Sequence, residues 1–173
     1  MHILRRLGAA LAGLLQTKKA PYSFSSTSKQ EITITRIIDA NRQKVWDAWT
    51  KPEYLSEWFG VPPLAATRET TSIDLRVGGA WQADMINAQD GSRMPFRGKY
   101  LEINSPAKLV FTIEEAGNPN YETVTLTLTD RVGVTEMTFT QKGHLPKEQY
   151  GDPLRNGYNS FFERMIRAIQ RMQ

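Results

Sequence analysis

Few side chains in this sequence have the type and the setting for acid–base or nucleophilic chemistry. The chain has no cysteine and two histidines, His2 and His144, which lie far apart. These counts exclude disulfides and thiolate nucleophiles, and they argue against a metal site built from several histidines. His144 follows a predicted strand with no carboxylate or nucleophile beside it in sequence, which is typical of a surface histidine.

Charged residues inside predicted strands are the other candidates for chemistry. Asp84, Arg97, Lys99 and Glu136 interrupt strand-like runs, and burial would give any of them a shifted pKa or a charged partner. Because strand alternation places most charges on the solvent face, we expect all four there. The sequence also lacks the motifs GxSxG, HExxH, GxxxxGK[ST] and GxGxxG. It therefore favours binding over catalysis and predicts neither a cofactor nor a metal.

Aromatic residues are concentrated in the run Val45–Gly60, VWDAWTKPEYLSEWFG, which holds three tryptophans. Asn41 is suited to cap a helix over RQKVWDAWT, in which Trp46 and Trp49 share a face with the preceding valine. Pro52 ends this helix and begins a second short one, PEYLSEWF, that stops at the glycine. We expect Trp46 and Trp49 to anchor the first helix.

Beyond this run the hydrophobic period changes to two, which is typical of strands. In the stretch 122–130, valine and leucine alternate with threonine, so one face meets a core and the other meets water. A strand also precedes the helices, over Glu31–Asp39. The later strands are predicted at 71–77, 80–87, 93–103, 108–113, 122–130 and 134–142.

A last helix is predicted over Leu154–Met172, because its apolar residues recur at helical spacing along a broad stripe. The element order is thus one strand, two short helices, about six strands and one long helix. Three helices are too few to cover both faces of a parallel sheet, so the fold class is α+β with an antiparallel sheet. This domain is expected to cover residues 31–173.

Residues 1–30 form a separate basic extension. They hold five basic and no acidic side chains, which leaves 17 basic and 18 acidic residues in 31–173. A body of that charge predicts no nucleic-acid binding. The extension has leucines at helical spacing followed by a proline- and serine-rich linker, and three interpretations stay open: a secretory signal, an organellar transit peptide or a flexible tail. If the extension is a tail, we expect a cytoplasmic protein; if it is a targeting segment, we expect an exported or organellar one. Weak contact with a membrane surface through residues 1–20 is a further option.

Five phrases follow one another between roughly Glu31 and the C-terminus: VWDAWTKPEYLSEWFG, RVGGAW, GKYLEINSPAKLVFT, VTEMTFTQKG and NGYNSFFERMIRAI. Their order and spacing, together with the order of the elements, resemble the SRPBCC (START/Bet v 1-like) superfamily and its Activator of Hsp90 ATPase homologue-1-like family. The resemblance implies a helix-grip fold, in which a curved antiparallel sheet wraps the long C-terminal helix and leaves a cavity between them. One departure is Tyr158, where many relatives carry tryptophan.

Such a cavity predicts a protein that binds a small hydrophobic ligand, of lipid, polyketide-like or aromatic type. Two alternatives use the same domain: a cyclase- or hydrolase-type enzyme, and a module that interacts with an Hsp90-type chaperone. The protein is expected to be a monomer or a homodimer. Trp58 and Phe59 are expected at the cavity entrance. The full set of predicted ligand-binding residues is Trp58, Phe59, Trp81, Met85, Tyr158, Phe161, Phe162 and Met165.

Overall fold

The described chain forms one antiparallel sheet with two short helices after its first strand and a long helix after its last. The structure is a computed structural model, and it describes residues 30–114, 119–144 and 151–172. The helices are α1 (Arg42–Thr50), α2 (Pro52–Trp58) and α3 (Asp152–Arg171). The strands are β1 (Gln30–Ile38), β2 (Gly60–Val61), β3 (Leu64–Ile73), β4 (Ala80–Asn87), β5 (Arg93–Met94), β6 (Arg97–Asn104), β7 (Lys108–Ile113), β8 (Glu122–Arg131) and β9 (Val134–Gly143).

The two short helices begin and end where their local sequence requires. The Asn41 side chain accepts a hydrogen bond from the Lys44 backbone N–H at 2.9 Å, which caps the first turn of α1. Lys51 adopts an extended conformation before Pro52, so α1 stops and α2 starts on the proline. The bend at Lys51 and Pro52 sets the direction of the second helix relative to the first, and both helices bury tryptophans against the sheet and α3.

The sheet runs in the order β1-β9-β8-β7-β6-β4-β3-β2, with β5 paired to β4 beside this path. Every pair is antiparallel, and the register shifts in β3 between Ala66 and Thr71 and in β6 between Tyr100 and Glu102. Such irregularities bend strands. The helix α3 packs its apolar stripe on the inner face, which confirms the α+β helix-grip fold.

Two predicted strands differ from the structure. The strand expected at 71–77 lies earlier, as β3, and Leu75 and Val77 are 40% and 63% exposed in the loop that follows. That loop turns back on the sheet, where the Gly78 N–H donates to the Tyr100 carbonyl oxygen at 2.8 Å. The strand expected at 93–103 is divided into β5 and β6 around Pro95, which has no N–H for a ladder hydrogen bond.

The extension predicted for residues 1–30 lies outside the described residues, apart from Gln30 in β1. The division into an extension and a domain at residue 31 therefore stays a prediction. Within the described part of the chain, no helix is long and apolar enough to cross a membrane.

Gly98 in β6 provides a test of how closely the strands approach one another. A Cβ at this position would overlap the Thr112 carbonyl oxygen and lie 2.5 Å from Nε1 of Trp81. We expect Gly98→Ala to lower the free energy of unfolding by about 1–3 kcal/mol through overpacking, as measured by urea denaturation. Lys99→Ala, an exposed neighbour, should change it by less than about 0.5 kcal/mol. Equal effects of the two substitutions would contradict this close approach.

Candidate functional site

An apolar cavity of about 40 Å³ lies inside the grip, between α3, the two short helices and the sheet. Eleven of its fifteen lining residues are aromatic, and none carries a charge. Aromatic rings give large, adaptable contact surfaces for apolar molecules. The lining consists of Trp49, Leu55, Trp58, Phe59, Trp81, Phe96, Tyr100, Leu109, Phe111, Ile113, Val124, Phe139, Tyr158, Phe161 and Phe162.

The sheet wall of the cavity follows from strand alternation. On β7, Leu109, Phe111 and Ile113 lie two residues apart and face the interior, while Val110 between them is only half-buried. The helix wall follows from helical spacing, since Tyr158, Phe161 and Phe162 lie three and four residues apart. The two periodicities therefore direct apolar side chains from opposite sides into one space.

Phe59 is the one lining residue that is not fully buried. Its ring connects the two walls, with centroids 5.5 Å from Phe161 on α3, 5.4 Å from Phe96 and 6.2 Å from Trp81. It follows α2 directly and sits next to Gly60. Phe59 therefore marks the edge of the cavity nearest to solvent.

The polar edges of the three cavity tryptophans differ in their partners. Trp58 Nε1 donates to the Ala48 carbonyl oxygen and Trp81 Nε1 donates to the Thr112 carbonyl oxygen, both at 2.9 Å. Trp49 Nε1 is buried without a hydrogen-bond partner. A buried donor that lacks a partner costs about 1–3 kcal/mol, so Trp49 is the exception among the three cavity indoles.

A chain of buried polar side chains leads away from the cavity at Tyr158. The Tyr158 hydroxyl hydrogen-bonds with Gln141 Oε1, and Gln141 Nε2 donates to Glu122 Oε2 at 3.1 Å. The other carboxylate oxygen of Glu122 accepts from the His144 backbone N–H at 2.7 Å. A Cβ at Gly143 would overlap this carboxylate, so a larger residue there would displace the Glu122 side chain from its present position.

Both tyrosine hydroxyls of the lining are held in the protonated form. Burial raises the pKa of Tyr158 far above its usual value, and the nearby Glu122 carboxylate raises it further. Burial alone raises the pKa of Tyr100. These residues supply O–H groups, not bases, near neutral pH.

Six of the eight predicted ligand-binding residues line the cavity: Trp58, Phe59, Trp81, Tyr158, Phe161 and Phe162. Trp58 was expected at the cavity entrance but does not lie there, because it is 1% exposed and its indole N–H is hydrogen-bonded to the backbone of α1. Met85 and Met165 are buried in the core but do not lie in the lining. A ligand-binding role for all eight stays a prediction.

Trp49 is the most informative lining residue that the sequence reasoning did not select. It was expected only to anchor α1, yet its ring lies 4.8 Å from Trp58 and 6.0 Å from Phe139 by centroid distance. A sequence signal for this role exists: Trp49 lies three residues after Trp46, so the two rings share one helix face, and both are candidates to face the interior.

Two carboxylates are buried within the described ranges, and one of them was expected in solvent. Asp84 is 2% exposed, so that prediction is wrong. Its Oδ2 lies 3.7 Å from an Arg97 nitrogen and 4.0 Å from an Arg93 nitrogen on the neighbouring strands. These guanidinium groups offset the cost of burying the charge on the outer side of the sheet. The second is Glu122, which lies two residues before the inward-facing Val124 and therefore on the same face of β8. Strand alternation alone is enough to predict that it faces inward.

The other strand charges and the histidine lie where they were expected. Arg97 and Lys99 are exposed, and Glu136 pairs with Arg131 at 3.1 Å at the sheet surface. His144 is exposed. No group of three histidine, aspartate or glutamate side chains within the described ranges is arranged to hold a metal ion.

A protein-family comparison matches the cavity-forming part of this chain. The model for Activator of Hsp90 ATPase homolog 1-like proteins matches residues 39–170. This chain belongs to that family. Curated protein sequences give no match.

Solved structures share the fold of this family member. A Chromobacterium violaceum protein has a TM-score of 0.71 at 20% identity, and the match covers 82% of this chain and 99% of that one. An AHSA1-like protein from Aeromonas hydrophila has a TM-score of 0.66 at 21% identity, covering 82% and 92%. A Staphylococcus aureus protein described as of unknown function has a TM-score of 0.71 at 18% identity, covering 83% and 94%. At these identities the similarity establishes the fold alone.

The hydrogen bond from Tyr158 can be tested by deleting one oxygen. Tyr158→Phe removes the Tyr158–Gln141 hydrogen bond, and we expect it to lower the free energy of unfolding by about 1–3 kcal/mol in urea denaturation. Tyr121, which is 48% exposed, provides the matched control. Tyr121→Phe should have an effect below about 0.5 kcal/mol. An equally small effect at Tyr158 would show that the buried polar chain contributes nothing to stability.

The raised pKa values of Tyr100 and Tyr158 also predict an alkaline limit to stability. Below pH about 10 the folded and unfolded states both keep the phenol protons, so the two buried tyrosines make their full contribution to the free energy of unfolding. Above that pH the unfolded chain loses protons that the folded domain retains, and the free energy of unfolding should fall. Tyrosinate absorbance of the folded protein should therefore lag behind that of the unfolded chain as the pH rises. Simultaneous ionisation of all tyrosines without unfolding would contradict the burial of these two rings.

Proposed function

We propose that this domain binds a small, mainly apolar molecule in the cavity between its sheet and α3. The observation that carries the proposal is the lining itself, which has eleven aromatic and no charged residues. A monomeric domain usually fills such a space with side chains, since interiors are close-packed. A residual space bordered by this many aromatic rings supports a binding role over a purely structural one.

The size of the cavity limits how a ligand would enter. A volume of about 40 Å³ holds roughly three water molecules, whereas pockets for drug-sized ligands measure about 300–1,000 Å³. Binding therefore requires wall side chains to move outward. Phe59 is the natural candidate, because it is half-buried and follows a short helix instead of lying within the sheet. Rotation of the Phe59 ring would remove its contacts with Phe161 and Trp81 and widen the space between these two residues.

Two other roles have weaker support. A cyclase- or hydrolase-type enzyme would draw on the Tyr158–Gln141–Glu122 chain, which connects the cavity to a buried carboxylate. However, the lining residues in the described part of the chain include no carboxylate or histidine, and both lining tyrosines stay protonated. A chaperone-interaction role is suggested by the family description and would use the outer surface instead of this cavity.

Filling the cavity provides the test. We expect some compounds in a library of small aromatic and aliphatic molecules to raise the melting temperature of the wild-type protein. At a hundredfold excess over Kd the stabilisation is about 2.7 kcal/mol, or roughly 5–10 °C for a domain of this size. Ile113→Phe adds bulk to the lining and should reduce or abolish the shift.

Val110→Phe is the matched control, because Val110 lies on the opposite face of the same strand. It introduces the same side chain outside the cavity and should leave the ligand-induced shift intact. The proposal fails if no compound stabilises the wild-type protein, or if Ile113→Phe and Val110→Phe respond alike. A chaperone pull-down that is unaffected by Ile113→Phe would favour the surface role instead.

A further inference from the structure

The polar atoms of the cavity wall indicate which kind of apolar molecule fits it. Two of the three lining tryptophans donate their N–H groups to backbone carbonyl oxygens, and the Tyr158 hydroxyl donates to Gln141. Trp49 does not, and its Nε1 is buried without a partner. In a wall whose other indoles are satisfied, this free donor requires an explanation, because native structures leave few such groups unpaired.

Tyr100 is a second lining residue that carries a donor and packs on the same ring as Trp49. The rings of Trp49 and Tyr100 lie 6.2 Å and 6.4 Å from Phe111 by centroid distance. Burial keeps the Tyr100 hydroxyl protonated, so this group is an O–H donor at neutral pH. Two residues that carry donor groups are therefore neighbours of Phe111 in the lining.

The charge of the lining restricts the ligand further. Among the residues that the structure describes, no lysine or arginine lines the cavity, so an anionic ligand would meet no counter-charge there, which costs several kcal/mol or more. A cation would gain contacts with the ring faces, but a group without an acceptor, or one that only donates hydrogen bonds, would leave Trp49 unpaired. A neutral acceptor satisfies the wall.

We infer that the ligand is a neutral, mainly apolar molecule with one hydrogen-bond acceptor, of the carbonyl type, placed against the indole N–H of Trp49. This inference rests on the proposed function and specifies the chemistry of the same cavity. Trp49 is then the residue that orients the ligand, while the surrounding aromatic rings supply contact area.

The competing explanation is that the Trp49 N–H points at the ring face of Trp58. The two rings are 4.8 Å apart with an interplanar angle of 69°, which permits either ring to present its edge. An N–H···π contact is weaker than a hydrogen bond to oxygen. If it occupies the donor, the cavity has no preference for an acceptor, and the experiment distinguishes the two cases.

Acetophenone and α-methylstyrene are suitable probes, because they differ only by C=O in place of C=CH₂. Purely apolar burial favours the hydrocarbon, whereas a hydrogen bond to Trp49 favours the ketone. The protein is labelled with ¹⁵N-tryptophan, and the four indole N–H signals are followed during titration of the full chain. We expect the ketone to bind about two- to tenfold more tightly. We also expect the Trp49 signal to move downfield with the ketone alone.

Trp49→Phe should remove the preference for the ketone while both probes still bind. Trp46→Phe is the matched control, since Trp46 lies on α1 but outside the lining, and it should keep the preference. The wild-type comparison needs no variant, so the test holds even if Trp49→Phe folds poorly. Equal binding of the probes, or tighter binding of α-methylstyrene, overturns the acceptor inference and leaves the proposed function standing. Failure of both probes and of the wider library overturns both.

Discussion

The packing of the α3 aromatic stripe on the concave face of the sheet is the interaction on which the rest of the structure depends. Phe162 on α3 lies 5.3 Å from Phe139 on β9 and 6.2 Å from Trp49 on α1 by ring centroids. One side chain thus joins the long helix, the sheet and the first short helix. Edge-to-face and tilted contacts of this kind add to the free energy of simple burial. They also leave small spaces, because planar rings at steep angles do not fill a curved surface.

The cavity follows from the same constraint. Register shifts in β3 and β6 bend the sheet, and the space between the sheet and α3 is lined mainly by large aromatic rings. The polar edges of those rings then need partners inside an apolar region. Backbone carbonyls satisfy Trp58 and Trp81, and Gln141 satisfies Tyr158. Through Gln141, the phenol oxygen of Tyr158 is also linked to the buried carboxylate of Glu122.

Much of the fold could be predicted from the sequence, because periodicity is a local signal. The alternation in β8 and the spacing along α3 gave the inner faces correctly, and the proline after Lys51 marked the boundary between α1 and α2. The exposed loop around Val77 was missed because its alternation continues past the end of β3, where hydrogen bonding to the sheet stops. Local pattern could not reveal that loop's return to Tyr100.

The site was predictable in part, for the same reason. Phe161 and Phe162 lie in the lining because helical spacing fixes their direction, whereas Met85 and Met165 face the core beside it. The burial of Asp84 depends on arginines from two neighbouring strands, and no single segment records that pairing. The unpaired N–H of Trp49 depends equally on what surrounds it in three dimensions.

The central claim is that the aromatic interior contains an apolar space able to accept a guest. A crystal of the protein under xenon pressure tests it directly, because xenon enters dry apolar cavities without hydrogen bonding. We expect xenon density within the ring cluster of Trp81, Phe111 and Phe161, with small outward shifts of Phe59. An interior without xenon, or with ordered water in that space, would contradict it.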